Sequence, residues 1–198
     1  MIEILKQMNG RVFGIVGSKN SGKTTLLMQL IEEAKQFQTD IYCYFYHTEY
    51  KSQMKNIKFV NTLNDLEKIQ NSFIFIDEFS ELFQLSDRHA VEMIKLVVAQ
   101  IEHNNNILVL CGLPQYYNKL ISGFVDENWL LKSLNYDELI NGSGLKKYIN
   151  MLSGDYVGGT RLNIATNTVL VNGVFHQVKY NKSKDKKAKS VDLWSKRK

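Results

Sequence analysis

Eight consecutive residues near the start of the chain have the types and the spacing of a loop that binds phosphate groups. They fit the pattern G-x-x-x-x-G-K-[ST] at every fixed position and comprise Gly17, Ser18, Lys19, Asn20, Ser21, Gly22, Lys23 and Thr24. The two glycines let the backbone curl so that successive N–H groups point at a β-phosphate. We expect the Lys23 ammonium to contact the β- and γ-phosphates and the Thr24 hydroxyl to ligate Mg²⁺. The pattern predicts a site for a nucleoside triphosphate, here ATP, which Thr25 also contacts.

The residues on either side of this loop supply the elements that such a loop requires. The apolar run Val12–Val16 predicts a buried strand before it, and the amphipathic run Thr25–Phe37 predicts a helix after it. The amino end of that helix, near Lys23, adds partial positive charge where the phosphates bind. The alternative is a plain glycine turn between a strand and a helix, and the match of both flanks favours the phosphate-binding interpretation.

A second group of reactive side chains follows the apolar run Ser72–Asp77, which reads SFIFID. This run predicts a buried strand that ends abruptly in two carboxylates, Asp77 and Glu78, at a point that faces the phosphate-binding loop. The arrangement is the Walker B pattern, in which the aspartate holds Mg²⁺ through water. Glu78 has the position of a general base that polarises an attacking water or hydroxyl. The alternative is that both carboxylates only cap the following helix.

Periodicity predicts the remaining elements of the chain. Strands are expected at Asp40–His47, Asn56–Val60, Ile107–Cys111 and Trp129–Leu134. Helices are expected at Asn64–Gln70 with Asn64 as its N-cap, at Asp87–His103, at Tyr116–Phe124 and at Tyr136–Leu152. The end of the chain is β-rich, with segments at Arg161–Thr166, Val169–Val171 and Val174–Tyr180 and an Asn172-Gly173 hairpin turn.

Gln115 follows the strand at Ile107–Cys111 and lies beside the expected nucleotide crevice, because ligands of such sheets bind at the carboxyl ends of the strands. This position makes Gln115 a candidate contact for the γ-phosphate. The alternative is a loop glutamine that is only solvated.

Together these elements predict a single α/β domain over residues 1–178, of the P-loop NTPase class. Its mainly parallel central sheet would be RecA-like and flanked by helices. A small β-rich C-terminal appendage would span about residues 156–180, and residues 181–198 would form a basic, disordered tail.

Charge is concentrated at the end of the chain. From Lys179 onward there are nine Lys and Arg against two Asp, a balance of +7, whereas the preceding residues carry 16 basic and 18 acidic groups. Such a tail is either a solvated end or a contact for nucleic-acid phosphates. Double-stranded DNA is therefore an expected partner.

Composition limits the class of protein. With 198 residues, 44% hydrophobic and 23% charged, the chain is typical of a soluble globular domain. Cys43 and Cys111 both lie in apolar runs, which excludes a disulfide framework and a four-cysteine zinc site. No apolar run approaches about 18 residues, so we expect no membrane span and a cytoplasmic location.

The segment Phe75–Leu82, FIDEFSEL, resembles the I-D-E-F-A-D-L signature of FtsK/HerA-type DNA translocases. That superfamily includes the small genome-packaging ATPases of viruses, and the length of this chain suits such a motor. The resemblance covers about residues 11–135 and implies ATPase roles for Lys23, Thr24, Asp77 and Glu78. It also implies a homo-oligomeric ring, a capsid or other protein partner, and a location in the host cytoplasm or the virion. Where the family has A-T-Q-R-P, residues 111–115 read CGLPQ, which leaves the γ-phosphate contact open.

Thymidine kinases offer a second resemblance. They have S-G-K-[ST] in an early phosphate loop, I-D-E at Walker B, and G-L followed by aromatic residues, similar to Gly112-Leu113 and Tyr116-Tyr117 here. This resemblance implies a nucleoside kinase with Glu78 as its catalytic base. Against it, those enzymes usually close a zinc-bound cysteine lid, whereas this chain has no CxxC, and the spacing from Asp77 to Gly112 is long for them. A non-motor regulatory P-loop ATPase is a third alternative.

Hydrolysis of ATP benefits from a further positive charge, and an arginine donated between subunits raises it by about 10³–10⁵-fold. The chain has four arginines, of which Arg197 lies in the tail and Arg11 precedes the first strand. Arg88, at the start of the long helix predicted after Walker B, is the preferred candidate for this donated arginine, or arginine finger, and Arg161 is the other candidate. For either residue the alternative is a solvated surface arginine.

Overall fold

The computed structural model describes residues 5, 11–45, 47–82, 97–117, 119–125, 128–135, 145, 161–162, 164–165, 167–171 and 173–178. The strands are β1 (Val12–Val16), β2 (Ile41–Tyr44), β3 (Lys58–Phe59), β4 (Phe73–Ile76), β5 (Ile107–Gly112), β6 (Trp129–Leu131), β7 (Leu134–Asn135), β8 (Arg161–Leu162), β9 (Thr168–Val171) and β10 (Val174–Gln177). The helices are α1 (Lys23–Ala34), α2 (Phe79–Leu82), α3 (residues 97–103 in its described part) and α4 (Lys119–Val125). Shorter 3-10 turns occupy Thr48–Gln53, Leu63–Lys68 and Pro114–Tyr116.

Eight of these strands form one sheet, in the order β10-β9-β6-β1-β5-β4-β2-β3. All neighbours from β6 to β3 pair in parallel, whereas β9 and β10 are antiparallel. β7 and β8 form a separate antiparallel pair. The sheet is therefore mainly parallel, as predicted, and the β-rich C-terminal segment continues it beyond β6.

Helices cover both faces of this sheet, because successive residues of a strand point to opposite sides. In β4, Phe73 and Phe75 belong to a cluster that contains the buried residues of α1. Ile74 and Ile76 belong to a second cluster that contains the buried residues of α2, α3 and α4. The layered α/β fold class is confirmed.

β5 lies between β1 and β4 and brings together two strands that are distant in sequence. Val16 pairs with Gly112 and Leu110 pairs with Ile76, so the carboxyl ends of the three strands lie at one edge of the sheet. The phosphate-binding loop follows β1 and Asp77 follows β4. Both predicted motifs therefore meet at this edge, where ligands of such sheets bind.

The helix predicted at Asn64–Gln70 is wrong in type and in cap. Leu63–Lys68 is a 3-10 turn capped by Thr62. The Asp65 carboxylate accepts hydrogen bonds from the backbone N–H groups of Asn61 and Thr62, each at 2.9 Å. The bond from the Thr62 N–H is one half of a capping box, in which the Thr62 side chain accepts in turn from the Asp65 N–H, and the turn ends with the extended residue Ile69 before an α-helix can propagate.

Several other boundaries differ from the prediction, and two of these differences divide a predicted element. The strand predicted at Trp129–Leu134 ends at Leu131, because β1 beside it ends at Val16 and the regular ladder stops there. The helix predicted at Tyr116–Phe124 is divided into the 3-10 turn Pro114–Tyr116 and α4, with Tyr117 buried between them. The predicted hairpin turn is confirmed by the pairing of Val171 with Val174 and by a φ of 78° at Gly173.

Some predictions fall on residues that the structure does not describe. They concern most of the helix at residues 136–152, the beginning of the helix at residues 87–103 and the basic tail at residues 181–198. Among the helices that are described, none is both long and apolar enough to cross a membrane.

Candidate active site

The phosphate-binding loop joins β1 to α1, as the motif predicts. α1 begins at Lys23, and Gly22 before it has φ 90° and ψ 21°, a left-handed conformation that glycine adopts without strain. Gly17 approaches its neighbours so closely that a Cβ there would lie 2.5 Å from Ser21 Oγ and 2.7 Å from Lys132 Cβ. Both glycines of the motif are therefore required by the geometry of the loop.

The loop carries a buried polar atom suited to a phosphate. Ser21 Oγ is buried and has no hydrogen-bond partner among the described residues. An unpaired buried hydroxyl is costly, and a phosphate oxygen would satisfy it. Lys19 and Asn20 are exposed at the tip of the loop, and Thr25 is half-buried in the first turn of α1. The residues present thus fit a bound phosphate.

Lys23 is held against the loop itself. The residue is 6% exposed, and its Nζ donates a hydrogen bond to the Ser18 carbonyl oxygen at 3.0 Å. A buried ammonium requires acceptors or a negative charge close by. Because an ammonium has three donors, Lys23 can also contact phosphate oxygens at the loop.

Thr24 and Asp77 bring the two motifs into direct contact. The Thr24 hydroxyl donates to the Asp77 carboxylate, with Oγ1 3.3 Å from both Oδ1 and Oδ2. Hydroxyl and carboxylate oxygens suit Mg²⁺, which in nucleotide sites takes one or two carboxylates and completes its shell with phosphates and water. The pair predicted to ligate Mg²⁺ is adjacent, and its oxygen atoms fit that ion.

The environment of Asp77 favours a positively charged ligand. The residue is 1% exposed, and burial raises the pKa of its carboxyl. Hydrogen bonds from Cys111 and Thr24 and the positive charge of Lys23 oppose this rise in pKa. A cation at the carboxylate would compensate further for the loss of hydration.

Glu78 follows Asp77 with an unusual backbone conformation. Its φ is 46°, in the left-handed region that residues other than glycine rarely adopt, and such conformations cost about 1–3 kcal/mol. Its side chain is half-buried, and burial raises the pKa of the carboxyl, a rise that Lys23 opposes and Asp77 reinforces. A carboxylate with a raised pKa is a stronger base near neutral pH, as the predicted role of Glu78 requires.

Two residues beside these carboxylates were missed by the sequence patterns. Cys111 is fully buried at the end of β5, and its side chain hydrogen-bonds to Asp77. His47 is exposed just beyond β2, and its charge lowers the pKa of both Asp77 and Glu78. Both lie at the carboxyl ends of predicted strands, which was the available signal, but the order of the strands was needed to identify them as neighbours of Asp77.

A cluster of three aromatic rings supports the backbone behind the site. The Tyr117 ring lies between those of Phe79 and Trp129, with centroid distances of 4.8 Å and 5.0 Å. Its hydroxyl oxygen is 2.7 Å from the Leu110 carbonyl oxygen and 3.0 Å from that of Ile15. The cluster therefore links β1, β5 and β6 to α2, the helix that begins directly after Glu78.

The remaining predicted site residues stay predictions. Gln115 is exposed in the 3-10 turn after β5, at the same edge of the sheet as the two motifs. Arg88 lies outside the described residues, and Arg161 begins β8.

Comparison with protein families identifies the family to which this chain belongs. The AAA domain family matches residues 9–115, which is more than half of the chain. A search of curated proteins finds no match.

Solved structures share the fold at low identity. The genome packaging NTPase B204 from Sulfolobus turreted icosahedral virus 2, in complex with ATP-gammaS, has a TM-score of 0.60 and 16% identity over 86% of this chain and 99% of that chain. The AMPPCP complex of the same NTPase has a TM-score of 0.59 and 17% identity over 86% of this chain and 100% of that chain. EccC (ATPases 2 and 3) from Thermomonospora curvata has a TM-score of 0.57 and 15% identity over 85% of this chain and 37% of that chain.

These likenesses confirm the predicted P-loop ATPase fold, and the two motifs meet in it as a nucleotide site requires. The protein belongs to the AAA domain family and is a P-loop ATPase.

Proposed function

We propose that this protein is an ATP-hydrolysing motor that moves double-stranded DNA, as a translocase or a genome-packaging ATPase. The observation that carries ATP hydrolysis is the contact between the motifs, in which the Thr24 hydroxyl lies on the Asp77 carboxylate next to Glu78. DNA as the substrate is supported by two facts. One solved structure that is similar to this chain over 99% of its own length is a genome packaging NTPase, and residues 179–198 carry a net charge of +7.

Binding of ATP uses the loop and the start of α1. The β-phosphate lies against the backbone N–H groups of the loop and receives the partial positive charge of the helix end. The Ser21 hydroxyl donates to a phosphate oxygen, and the Lys23 ammonium extends from the Ser18 carbonyl to the β- and γ-phosphates. Mg²⁺ held by Thr24 and Asp77 would neutralise phosphate charge.

Hydrolysis requires a group that accepts a proton from water. Water attacks the γ-phosphorus, the bond from that phosphorus to the β–γ bridging oxygen breaks, and ADP leaves. The Glu78 carboxylate accepts the proton and returns it to solvent or to the released phosphate. Its raised pKa makes it a more effective acceptor than an ordinary carboxylate, and general bases contribute about 10²–10⁴-fold.

We expect double-stranded DNA to stimulate the ATPase, and we expect the tail to supply part of the DNA-binding surface. Substitution of Lys182, Lys184, Lys186, Lys187 and Lys189 by Gln keeps the length of the tail and removes five charges. DNA binding should weaken, and the slope of log affinity against log salt should decrease by about 0.9 for each phosphate that the tail no longer neutralises. The measurements are DNA binding between low and moderate salt and the rate of ATP hydrolysis with and without DNA.

The matched control replaces Ser183 and Ser190 by Ala, which changes the same segment without changing its charge. This control should keep the parent's affinity and slope. An unchanged slope in the glutamine variant would show that the tail is only a solvated end. Phosphate transfer to thymidine without DNA stimulation would overturn the motor and favour the nucleoside kinase.

We also propose that the active form is a ring in which Arg88 of one subunit completes the site of its neighbour. Arg88→Ala and Lys23→Ala subunits should each be inactive alone, because one lacks the finger and the other lacks the ammonium that binds the phosphates. In a mixture, an intact site can meet an intact finger, and ATP hydrolysis should return in part.

Mixing is measured over a range of subunit ratios, with Arg161→Ala in place of Arg88→Ala as the parallel series. Recovery of ATP hydrolysis in the Arg161 series alone would identify Arg161 as the arginine that one subunit donates to its neighbour. Full activity of Arg88→Ala by itself, or no recovery in either series, would contradict the shared site.

A further inference from the structure

The two residues after β6 run alongside the beginning of the phosphate-binding loop. The Lys132 backbone N–H donates to the Val16 carbonyl oxygen at 2.8 Å, and the Ser18 N–H donates to the Ser133 carbonyl oxygen at 2.7 Å. Between these bonds, a Cβ at Gly17 would lie 2.7 Å from Lys132 Cβ and 3.2 Å from the Ser133 carbonyl oxygen. The start of the loop therefore lies directly against Lys132 and Ser133.

Both side chains of this pair hydrogen-bond to the segment that leads into β9. The Ser133 hydroxyl donates to the Ile164 carbonyl oxygen and accepts from the Ile164 N–H, each at 2.8 Å. The Lys132 ammonium donates to the Thr168 carbonyl oxygen at 2.6 Å and to the Ala165 carbonyl oxygen at 3.3 Å. The loop is thus connected, through two residues, to the C-terminal part of the sheet.

These contacts are made in the interior of the protein. Lys132 is 0% exposed and Ser133 is 7% exposed. Burial lowers the pKa of Lys132 to about 8, so its charge depends on the carbonyl groups that accept its hydrogen bonds. Hydrogen bonds of this kind are costly to break, because the remaining partner stays buried and unpaired.

Ser18 is the loop residue that connects Lys23 to Ser133. Its carbonyl oxygen accepts from Lys23 Nζ at 3.0 Å, and its N–H donates to Ser133. Ser18 therefore lies between the ammonium proposed to contact the phosphates and the backbone of Ser133. The bond from the Ser18 N–H to the Ser133 carbonyl oxygen holds Ser18 in place and, with it, the carbonyl that accepts from Lys23.

We propose that Lys132 and Ser133 are positioning residues for nucleotide binding, which hold the phosphate-binding loop in its binding conformation through their hydrogen bonds to Ile164, Ala165 and Thr168. The inference rests on the proposed ATP site, but it concerns the shape of the loop rather than the chemistry of hydrolysis. A loop that spends less time in the binding conformation has a correspondingly weaker apparent affinity.

Ser133→Ala tests the proposal against a matched control, Ser122→Ala. Both serines are 7% exposed, and the Ser122 hydroxyl, in α4, donates to the Tyr117 carbonyl oxygen at 3.1 Å. We expect Ser133→Ala to bind a non-hydrolysable ATP analogue about tenfold more weakly than the parent. Ser122→Ala should keep the parent's affinity even if it loses a similar amount of thermal stability. Ser133→Thr, which keeps the hydroxyl, should bind more tightly than Ser133→Ala.

A second measurement does not depend on nucleotide. Amide hydrogen exchange of a peptide that contains Ser18 should be about tenfold faster in Ser133→Ala than in Ser122→Ala, because the Ser133 carbonyl that accepts from the Ser18 N–H is no longer held by the bonds of the Ser133 hydroxyl to Ile164. Lys132→Met should also make hydrogen exchange of the peptide that contains Ser18 faster than in Ser122→Ala.

Equal exchange and equal analogue affinity in the two alanine variants would overturn the proposal. If the parent protein bound no nucleotide, the proposed function would fail, yet loop exchange would still decide whether Ser133 positions the loop.

Discussion

We expect the Lys23→Ala protein to lose tight binding of ATP and, with it, measurable hydrolysis. The Lys23 ammonium is buried at the loop, where its charge is little screened by water. Loss of one partner of a buried, hydrogen-bonded charge pair costs about 2–5 kcal/mol, which is about 30-fold to several thousand-fold in Kd. Titration with a fluorescent ATP analogue and a steady-state phosphate assay measure both effects.

The control is Lys55→Ala, which removes a lysine of the exposed surface outside the site. It should keep the affinity and the rate of the parent, and the thermal stability of both variants should show that they are folded. Binding by Lys23→Ala within about threefold of the parent would remove Lys23 from the phosphate site.

We expect Glu78→Gln to bind ATP as the parent does and to hydrolyse it about 10²–10⁴-fold more slowly. Glutamine has nearly the shape of glutamate but accepts a proton far less readily. It also keeps a Cβ at a residue whose φ is 46°, so the backbone strain of the parent is retained. A fall in kcat without a rise in Kd for ATP would therefore report the loss of the base alone.

Glu81→Gln is the matched control, because Glu81 lies three residues further in the same segment and is exposed. This variant should hydrolyse ATP at close to the parent's rate. A Glu78→Gln protein with the parent's kcat would assign the proton transfer to another group, and His47, beside both carboxylates, would be the next to substitute.

The sequence predicted the parts of the site that depend on local pattern. Lys23 and Thr24 follow from their motif, and Asp77 follows from an apolar strand that ends in a carboxylate. Their meeting was predicted as well, because the carboxyl ends of parallel strands share an edge.

The contacts that the sequence did not predict depend on pairings between distant segments. Cys111 contacts Asp77 because β5 lies next to β4, and Ser133 contacts Ser18 because β6 lies next to β1. The order of the strands in the sheet cannot be predicted from the hydrophobic periodicity within any one segment. The cap at Thr62 was missed for a different reason, since Asn64 and Thr62 are both good caps and the Asp65 carboxylate decided between them.

The central position of β1 has a consequence for the synthesis of the chain. Among the described strands the loop-bearing strand is made first, yet its neighbours in the sheet, β5 and β6, are the last strands of the parallel part to leave the ribosome. Until they emerge, Val12–Val16 has no strand on either side, and an unpaired apolar strand is prone to aggregation. Because pairings between distant segments also slow folding, the nascent chain acquires its nucleotide site late, once Ser133 can reach Ser18.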